Sequence, residues 1–166
     1  MGNSVVLREY DEADRDFYHS WISDPCIMKY VEFGTSSRLE SDKKFDYVLS
    51  QQHADQRKDF YLALKLRESG QLIGNAGISV IENELSTAEI GWILKPDFRG
   101  NGYATEAGKL LISFGVKTLQ VSNIFATCDI QNKKSEAIMQ RLGMIRAVNP
   151  MSNLGSNTKI RYNISV

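Results

Sequence analysis

The spacing of apolar residues predicts a helix near the N-terminus. A strand-like run at Val5–Arg8 is followed by Asp11, a residue suited to capping a helix. Three apolar residues then recur at intervals of four, namely Ala13, Phe17 and Trp21. Residues at this interval share one helix face. We expect Asp24-Pro25 to end the helix, because the residue before a proline disfavours the α conformation.

A second helix is predicted after Ser36 or Ser37, either of which can cap it. Its apolar positions, at helical spacing, are Phe45, Val48 and Leu49. Glu40 falls in the first turns, where an acidic side chain is favoured by the helix dipole.

Three apolar runs in the middle of the chain predict a β-meander. They are Phe60–Leu66, Leu72–Val80 and Ala88–Leu94. Glu68-Ser69-Gly70-Gln71 separates the first two and is typical of a hairpin turn. Pro96 is expected to end the third, because proline cannot donate to a β-ladder.

The C-terminal half adds two helices and three strands. A helical stripe is formed by Ala104, Ala107, Leu110, Leu111 and Phe114. The strand Ile124–Cys128 follows it and should lie parallel to Ala88–Leu94, joined by a right-handed crossover. Lys134–Leu142 is predicted to be a helix that Gly143 ends. Two strands close the chain, near Ile145–Val148 and Lys159–Ile164.

Seven strands and four helices in this order indicate a mixed, mostly antiparallel sheet of the α/β (α+β) class. The 166 residues predict one domain over 1–166. Twenty basic residues balance twenty acidic ones, which gives no indication of nucleic acid as a partner. Without an apolar run of about 18 residues or a signal peptide, we expect no membrane association and a cytoplasmic location. Cys26 and Cys128 share no motif with a histidine, so we expect buried reduced thiols and no metal site.

The stretch Arg99–Ala107, RGNGYATEA, places two glycines where a strand turns into a helix. Free N–H groups at a helix start bind anions, and glycine lets the backbone approach a phosphate closely. Arg99 adds a positive charge beside the turn. The sequence therefore indicates a phosphate or pyrophosphate site, with a purely conformational turn as the alternative.

Two common phosphate motifs do not fit this stretch. A Walker loop requires Lys and Ser or Thr after its last glycine, whereas Tyr103 and Ala104 follow Gly102. A dinucleotide fingerprint requires an acidic residue about 20 positions further on, and Gln120–Asn123 contains none. A nicotinamide-dependent enzyme is therefore the weaker interpretation.

The remaining pattern, Arg99-x-x-Gly102-x-Ala104, resembles the GNAT superfamily of acetyl-CoA-dependent N-acetyltransferases. More narrowly, the chain is similar to the branch that acetylates N-terminal amines of ribosomal proteins. The residues that carry the resemblance are Glu89-Ile90-Gly91-Trp92, Pro96-x-x-Arg99-Gly100-x-Gly102-Tyr103-Ala104-Thr105-Glu106-Ala107, Asn132-x-x-Ser135 and Leu142-Gly143-Met144. The predicted order of elements also fits this family.

The resemblance implies a GNAT-like sheet in which the central pair of strands splays apart to admit acetyl-CoA. It implies that the pyrophosphate lies on the backbone from Arg99 to Thr105 and that the pantetheine arm pairs with Ile93 and Leu94. Asn132 and Ser135 complete the implied cofactor site. The implied loop residues are Arg99, Gly100, Asn101, Gly102, Tyr103, Ala104 and Thr105.

Two residues are candidates for proton transfer. Glu89 is the candidate general base, because an alkyl amine is mostly protonated at pH 7 and must lose a proton before it attacks. Ser135 is the implied general acid for the leaving thiolate. Many family members place a tyrosine at the position of Met139, so here Ser135 or solvent must serve, and Met139 is expected to pack in the core. A strand carboxylate and a helix-surface serine are the alternative interpretations of Glu89 and Ser135.

The acceptor site is expected from the Trp21–Phe33 segment and the loop Met151–Asn157. Trp21, Tyr30 and Phe33 are candidates for an apolar wall, although the core is the more common location for a residue such as Trp21. The acceptor is either a protein N-terminal amine or a small-molecule amine. A domain that binds coenzyme A without catalysis is the other alternative. Many members of the family dimerise, so the resemblance is also compatible with a homodimer.

Overall fold

A computed structural model of the chain describes residues 4–31, 33–82, 84, 86–148 and 159–166. It contains one seven-stranded sheet in the order β1-β2-β3-β4-β5-β7-β6. The strands are β1 Val5–Glu9, β2 Asp59–Leu66, β3 Leu72–Val80, β4 Thr87–Leu94, β5 Asn123–Asp129, β6 Ile145–Arg146 and β7 Lys159–Ser165. Only β4 and β5 run parallel, and every other neighbouring pair is antiparallel. This confirms the predicted mixed sheet.

The described residues form five α-helices, one more than predicted. They are α1 Arg15–Ile22, α2 Pro25–Met28, α3 Arg38–Gln51, α4 Tyr103–Lys117 and α5 Lys133–Arg141. The additional helix is α2, where Asp24 accepts hydrogen bonds from the N–H groups of Cys26 and Ile27. Pro25 therefore begins a helix as well as ending one, because proline is favoured in a first helical turn.

Capping residues begin the helices as their chemistry requires. Asp11 caps a 3-10 turn at Glu12–Asp14, and Ser37 forms a capping box with Glu40 at the start of α3. The prediction for the first helix is wrong at Ala13, which lies in the 3-10 turn and is exposed. Tyr18, Trp21 and Ile22 are the residues that bury the face of α1.

Two apolar cores lie on opposite faces of the sheet. On one face, α4 and α5 pack on the strands through residues such as Leu111 and Met139. On the other face, α1, α2 and α3 enclose an aromatic core of Tyr10, Tyr18, Trp21 and Phe45. The two thiols also differ, because Cys128 is buried and Cys26 is exposed, contrary to the prediction that both are buried.

The parallel pair β4–β5 separates soon after it forms. Thr87–Glu89 pairs with Asn123–Phe125, and no pairing between these strands continues beyond that point. β4 nevertheless runs on to Leu94 and β5 to Asp129. A wedge-shaped gap thus opens in the middle of the sheet, as the resemblance implied, and its mouth faces the loop that precedes α4.

The last two strands are unequal. β7 pairs along its whole length with β5, from Lys159 to Ser165. β6 contains only two residues, Ile145 and Arg146, rather than the predicted four. Val148, the last residue that the structure describes before Lys159, is 96% exposed and lies outside the strand.

A buried carboxylate between β1 and α1 makes stability depend on pH. Asp14 accepts hydrogen bonds from Arg8 Nη2 at 2.8 Å and from Asp11 N–H at 2.9 Å. Burial alone would raise the pKa of Asp14, but these hydrogen bonds and the charge of Arg8 together hold the pKa below its ordinary value. The folded-state pKa is thus below the unfolded one, so the stabilisation is present above about pH 4 and is lost as the pH falls through the folded-state pKa.

We expect Asp14→Asn to lower the free energy of unfolding by about 2 kcal/mol at pH 7, since hydrogen bonds to a charged group are lost. Urea unfolding between pH 7 and pH 2 measures this, and the difference from wild type should stay constant down to about pH 4 and shrink below it. Asp97→Asn, which changes an exposed carboxylate, is the control and should have little effect. A loss that is the same at every pH would show that the charge of Asp14 is not the cause.

Candidate active site

The glycine turn before α4 adopts a conformation that other residues disfavour. Gly100 and Gly102 have φ angles of 87° and 83°, in the left-handed region. Gly102 is the N-cap of α4, so the N–H groups at the start of that helix have no partner within it. The turn therefore presents backbone donors and the positive end of a 15-residue helix to the same space.

A groove of about 560 Å³ lies against this turn. It is lined by Gly100, Asn101, Gly102, Thr105, Glu106, Lys109 and Arg141. The sequence analysis did not identify the two cations, Lys109 and Arg141. Lys109 follows Thr105 by four residues on α4, and this interval was the signal that could have found it. Backbone donors, a helix terminus and two cations together suit a phosphate-bearing ligand.

Other predicted residues of the loop have structural roles as well. Arg99 Nε donates to the carbonyl of Leu94 at 3.1 Å and so ties the loop to the end of β4. Asn101 Nδ2 donates to Phe98 O at 3.4 Å. Ala104 is buried, and Tyr103 packs against the core beside α4. Glu106 accepts the N–H of Val5 at 3.0 Å, which fastens β1 to α4.

The gap between β4 and β5 exposes the backbone of alternate residues of β4. Lys95 N–H donates to Ile73 O at 2.9 Å, so odd-numbered residues of β4 bond to β3. Ile93, which stands opposite Asn75, therefore directs its peptide groups to β3, and Leu94 directs its own into the gap. The expectation that both residues expose their backbone is corrected: Leu94 does, and Ile93 contributes only its side chain, which packs against the aromatic core.

Glu89 lies in the last paired row before the gap. It is opposite Phe125 of β5, and its Oε1 accepts a hydrogen bond from Thr127 Oγ1 at 2.8 Å. The side chain is partly buried and carries no ion pair within the described part of the chain. Thr127 is a residue that the sequence analysis missed, because only the register between β4 and β5 brings it to Glu89.

Asn132 and Ser135 lie at the start of α5. Asn132 is the N-cap, and its Oδ1 accepts the N–H of Ser135 at 3.2 Å. The Cys128 thiol donates to the carbonyl of Asn132 at 4.0 Å, and burial raises the pKa of that thiol to about 11. Met139 is fully buried in the core, as predicted. The start of α5 is thus fixed to the end of β5, at the far side of the gap.

The predicted acceptor segment is placed only in part. Trp21 is 3% exposed and lies in the aromatic core, the more common of its two expected locations, so it does not form an exposed wall. Tyr30 and Phe33 are exposed, and Lys44 Nζ lies 3.9 Å from the centre of the Phe33 ring. The predicted loop Met151–Asn157 lies outside the described residues.

Across residues 4–31, 33–82, 84, 86–148 and 159–166, no group of three or more metal-binding side chains comes together. None of the helices described there combines the length and the apolar character that a membrane crossing requires.

Comparison with known proteins identifies the family. The sequence profile of the acetyltransferase (GNAT) domain matches residues 4–145. The uncharacterized N-acetyltransferase YnaD of Bacillus subtilis is 30% identical over 142 residues, which cover 86% of this chain and 79% of YnaD. The spermidine N(1)-acetyltransferase of Escherichia coli is 25% identical over 142 residues, which cover 85% and 73% of the two chains.

A solved structure shows the same fold. The ribosomal-protein-S5-alanine acetyltransferase of Vibrio fischeri superposes with a TM-score of 0.81 at 14% identity and covers 99% of this chain and 94% of its own. This agrees with the mixed seven-stranded sheet of the described residues. The chain belongs to the GNAT acetyltransferase family and is an acetyl-CoA-dependent N-acetyltransferase.

Proposed function

We propose that acetyl-CoA lies across the gap between β4 and β5 and that its acetyl group passes directly to a primary amine that loses its proton to Glu89. The observation that carries this proposal is the position of Glu89 in the last paired row before the gap, with its Oε1 held by Thr127 at 2.8 Å. A carboxylate held in one orientation beside an open backbone edge is suited to accept a proton from an approaching amine.

In this arrangement the groove beside α4 holds the pyrophosphate of the co-substrate. The N–H groups from Arg99 to Thr105 would bind its oxygens, with Lys109 and Arg141 supplying positive charge. Lys109 and Arg141 line this groove, whereas Lys133, at the start of α5, pairs with Glu136 at 2.9 Å. The pantetheine arm would follow β4, with Asn132 Nδ2 free to donate because the helix cap uses only Oδ1.

The reaction then needs one nucleophilic attack and two proton transfers. One proton leaves the amine, and one is taken up by the leaving thiolate. The amine nitrogen attacks the thioester carbonyl, and the Leu94 N–H stabilises the oxyanion that forms. The C–S bond breaks, the amine proton goes to Glu89, and the thiolate takes a proton from Ser135 or from solvent. The products are an amide and free coenzyme A.

The acceptor is a primary amine of one of two kinds. A protein N-terminal amine is the acceptor that the ribosomal-protein branch suggests, and a small-molecule amine is the acceptor in the name of the spermidine relative. A domain without catalysis is disfavoured by the match to the acetyltransferase (GNAT) domain and by relatives named N-acetyltransferases. A single domain over 1–166, a cytoplasmic location and a homodimer stay predictions.

Thermal unfolding with acetyl-CoA, and with NAD as the control, tests the proposal. A ligand at 100 times its Kd adds about 2.7 kcal/mol of stability, which raises Tm by several degrees in a domain of this size. We expect a shift with acetyl-CoA and none with NAD, and release of free thiol when an amine acceptor is added. The absence of a shift at millimolar acetyl-CoA would contradict the proposed co-substrate site.

A further inference from the structure

Two glycines on neighbouring strands lie side by side in the sheet near Glu89, and a tyrosine stands beyond them. Tyr61 of β2 stands opposite Gly77 of β3, and Gly77 stands opposite Gly91 of β4. Because side chains alternate between the two faces of a strand, these three residues share the face on which Glu89 lies. The row ends at the gap between β4 and β5, so it leads directly to the place proposed for the acetyl group.

Gly91 has no structural reason to be glycine. Among the glycines in the described part of the chain, it alone combines an ordinary φ with open space, since an added Cβ would meet nothing within 4 Å. The others have a positive φ or would bring a Cβ within about 3 Å of a neighbour. Glycine in a strand is unfavourable by about 0.5–1 kcal/mol relative to alanine, so its presence here needs a reason other than packing.

The two glycines form the floor of a trough with side chains on both edges. Ser79 and Glu89 stand on one edge, and Asn75 and Ile93 stand on the other. At four residues along a strand, the Cα atoms of Glu89 and Ile93 are about 13 Å apart. The side chains on both edges stand on the same face as the glycine floor and narrow the space between them.

Tyr61 closes the far end of the trough. Its ring lies against Gly77, where an added Cβ would come within 3.5 Å of Tyr61 Cδ1. From Tyr61 to Gly91 the trough spans two strand spacings, or about 10 Å. A short unbranched alkyl chain would span this length over the two glycines, whereas branches next to the amine would lie against the edge side chains of Glu89 and Ile93.

We propose that this trough binds the acceptor and that Gly91 determines specificity: the acceptor is a primary amine at the end of an unbranched alkyl chain, which lies over Gly91 and Gly77. This inference rests on the proposed function. It favours a small-molecule amine over a protein N-terminal amine, because the amine of most protein N-termini is attached to a branched carbon. The amine nitrogen would lie at the gap, within reach of Glu89, and the chain would extend toward Tyr61.

The test compares three amines of different shape. n-Hexylamine fills the trough, methylamine does not extend over Gly91, and cyclohexylamine carries its amine on a branched carbon. We expect wild type to acetylate n-hexylamine with a kcat/KM at least tenfold above that for cyclohexylamine. Gly91→Val should lower kcat/KM for n-hexylamine at least tenfold more than that for methylamine, because its branches fill the floor of the trough.

Thermal unfolding with acetyl-CoA separates the failure of this inference from that of the proposed function. An open position with an ordinary φ should accept valine, so we expect the variant to fold and to keep its acetyl-CoA shift. If wild type binds acetyl-CoA but acetylates cyclohexylamine as well as n-hexylamine, or acetylates none of the three, the inference is overturned. Equal losses for methylamine and n-hexylamine in Gly91→Val would also overturn it.

Discussion

Replacing Glu89 by glutamine should lower kcat by about 10²- to 10⁴-fold and leave the affinity for acetyl-CoA unchanged. Glutamine has the same shape and keeps an oxygen that Thr127 Oγ1 can donate to, as it does to Glu89 at 2.8 Å. The amide cannot take a proton, however, so the amine must lose its proton to water. Steady-state kinetics and thermal unfolding with acetyl-CoA measure the two quantities separately.

The pH dependence of the variant tests the role of Glu89 more directly. Without the base, the rate should rise with pH as more of the amine is unprotonated in solution, and the deficit relative to wild type should shrink. Glu82→Gln is the matched control, because Glu82 precedes the same strand but is exposed and pairs with Lys58. A Glu89→Gln variant whose kcat equals that of wild type across the pH range would remove Glu89 from the mechanism.

The strands and helix caps could be predicted because their signals are local. Ser37 and Glu40 form a capping box within one turn. The meander from β2 to β4 could be predicted because each strand is a run of apolar residues bounded by turn residues. The short helix α2 was missed for the same reason that the end of α1 was found. Pro25 disfavours the helical conformation in the residue before it, which ends α1, and it favours the first turn of a new helix, which begins α2. The prediction used the first effect alone.

The candidate site was predictable where it depends on one segment and not where it depends on register. The glycine turn is continuous in sequence, so its anion-binding character could be argued from the residues alone. Thr127 meets Glu89, and Gly77 meets Gly91, only through pairing between strands that are distant along the chain. Whether Ile93 or Leu94 exposes its backbone to the gap likewise depends on which neighbouring strand each peptide group faces.

Replacing Gly102 by valine should weaken the binding of acetyl-CoA and reduce the stabilisation that the ligand provides. The φ of Gly102 is 83°, which costs a non-glycine residue about 1–2 kcal/mol, and a branched side chain would also stand where the backbone must approach a phosphate. We expect the Kd for acetyl-CoA to rise at least tenfold, measured by titration calorimetry or by the loss of the thermal shift.

Gly70→Val separates strain from loss of the phosphate site. Gly70 lies in the turn between β2 and β3 with a φ of 71°, and an added Cβ there also meets nothing within 4 Å, so the two substitutions impose a similar backbone cost. Both variants should lose a similar amount of stability without ligand, but only Gly102→Val should lose the shift with acetyl-CoA. If both variants kept the shift, the backbone of the turn would not be the phosphate site; if both lost it, strain rather than contact would explain the loss. The matched pair therefore tests whether the left-handed glycine is needed for the ligand, since the conformation alone is common to both turns.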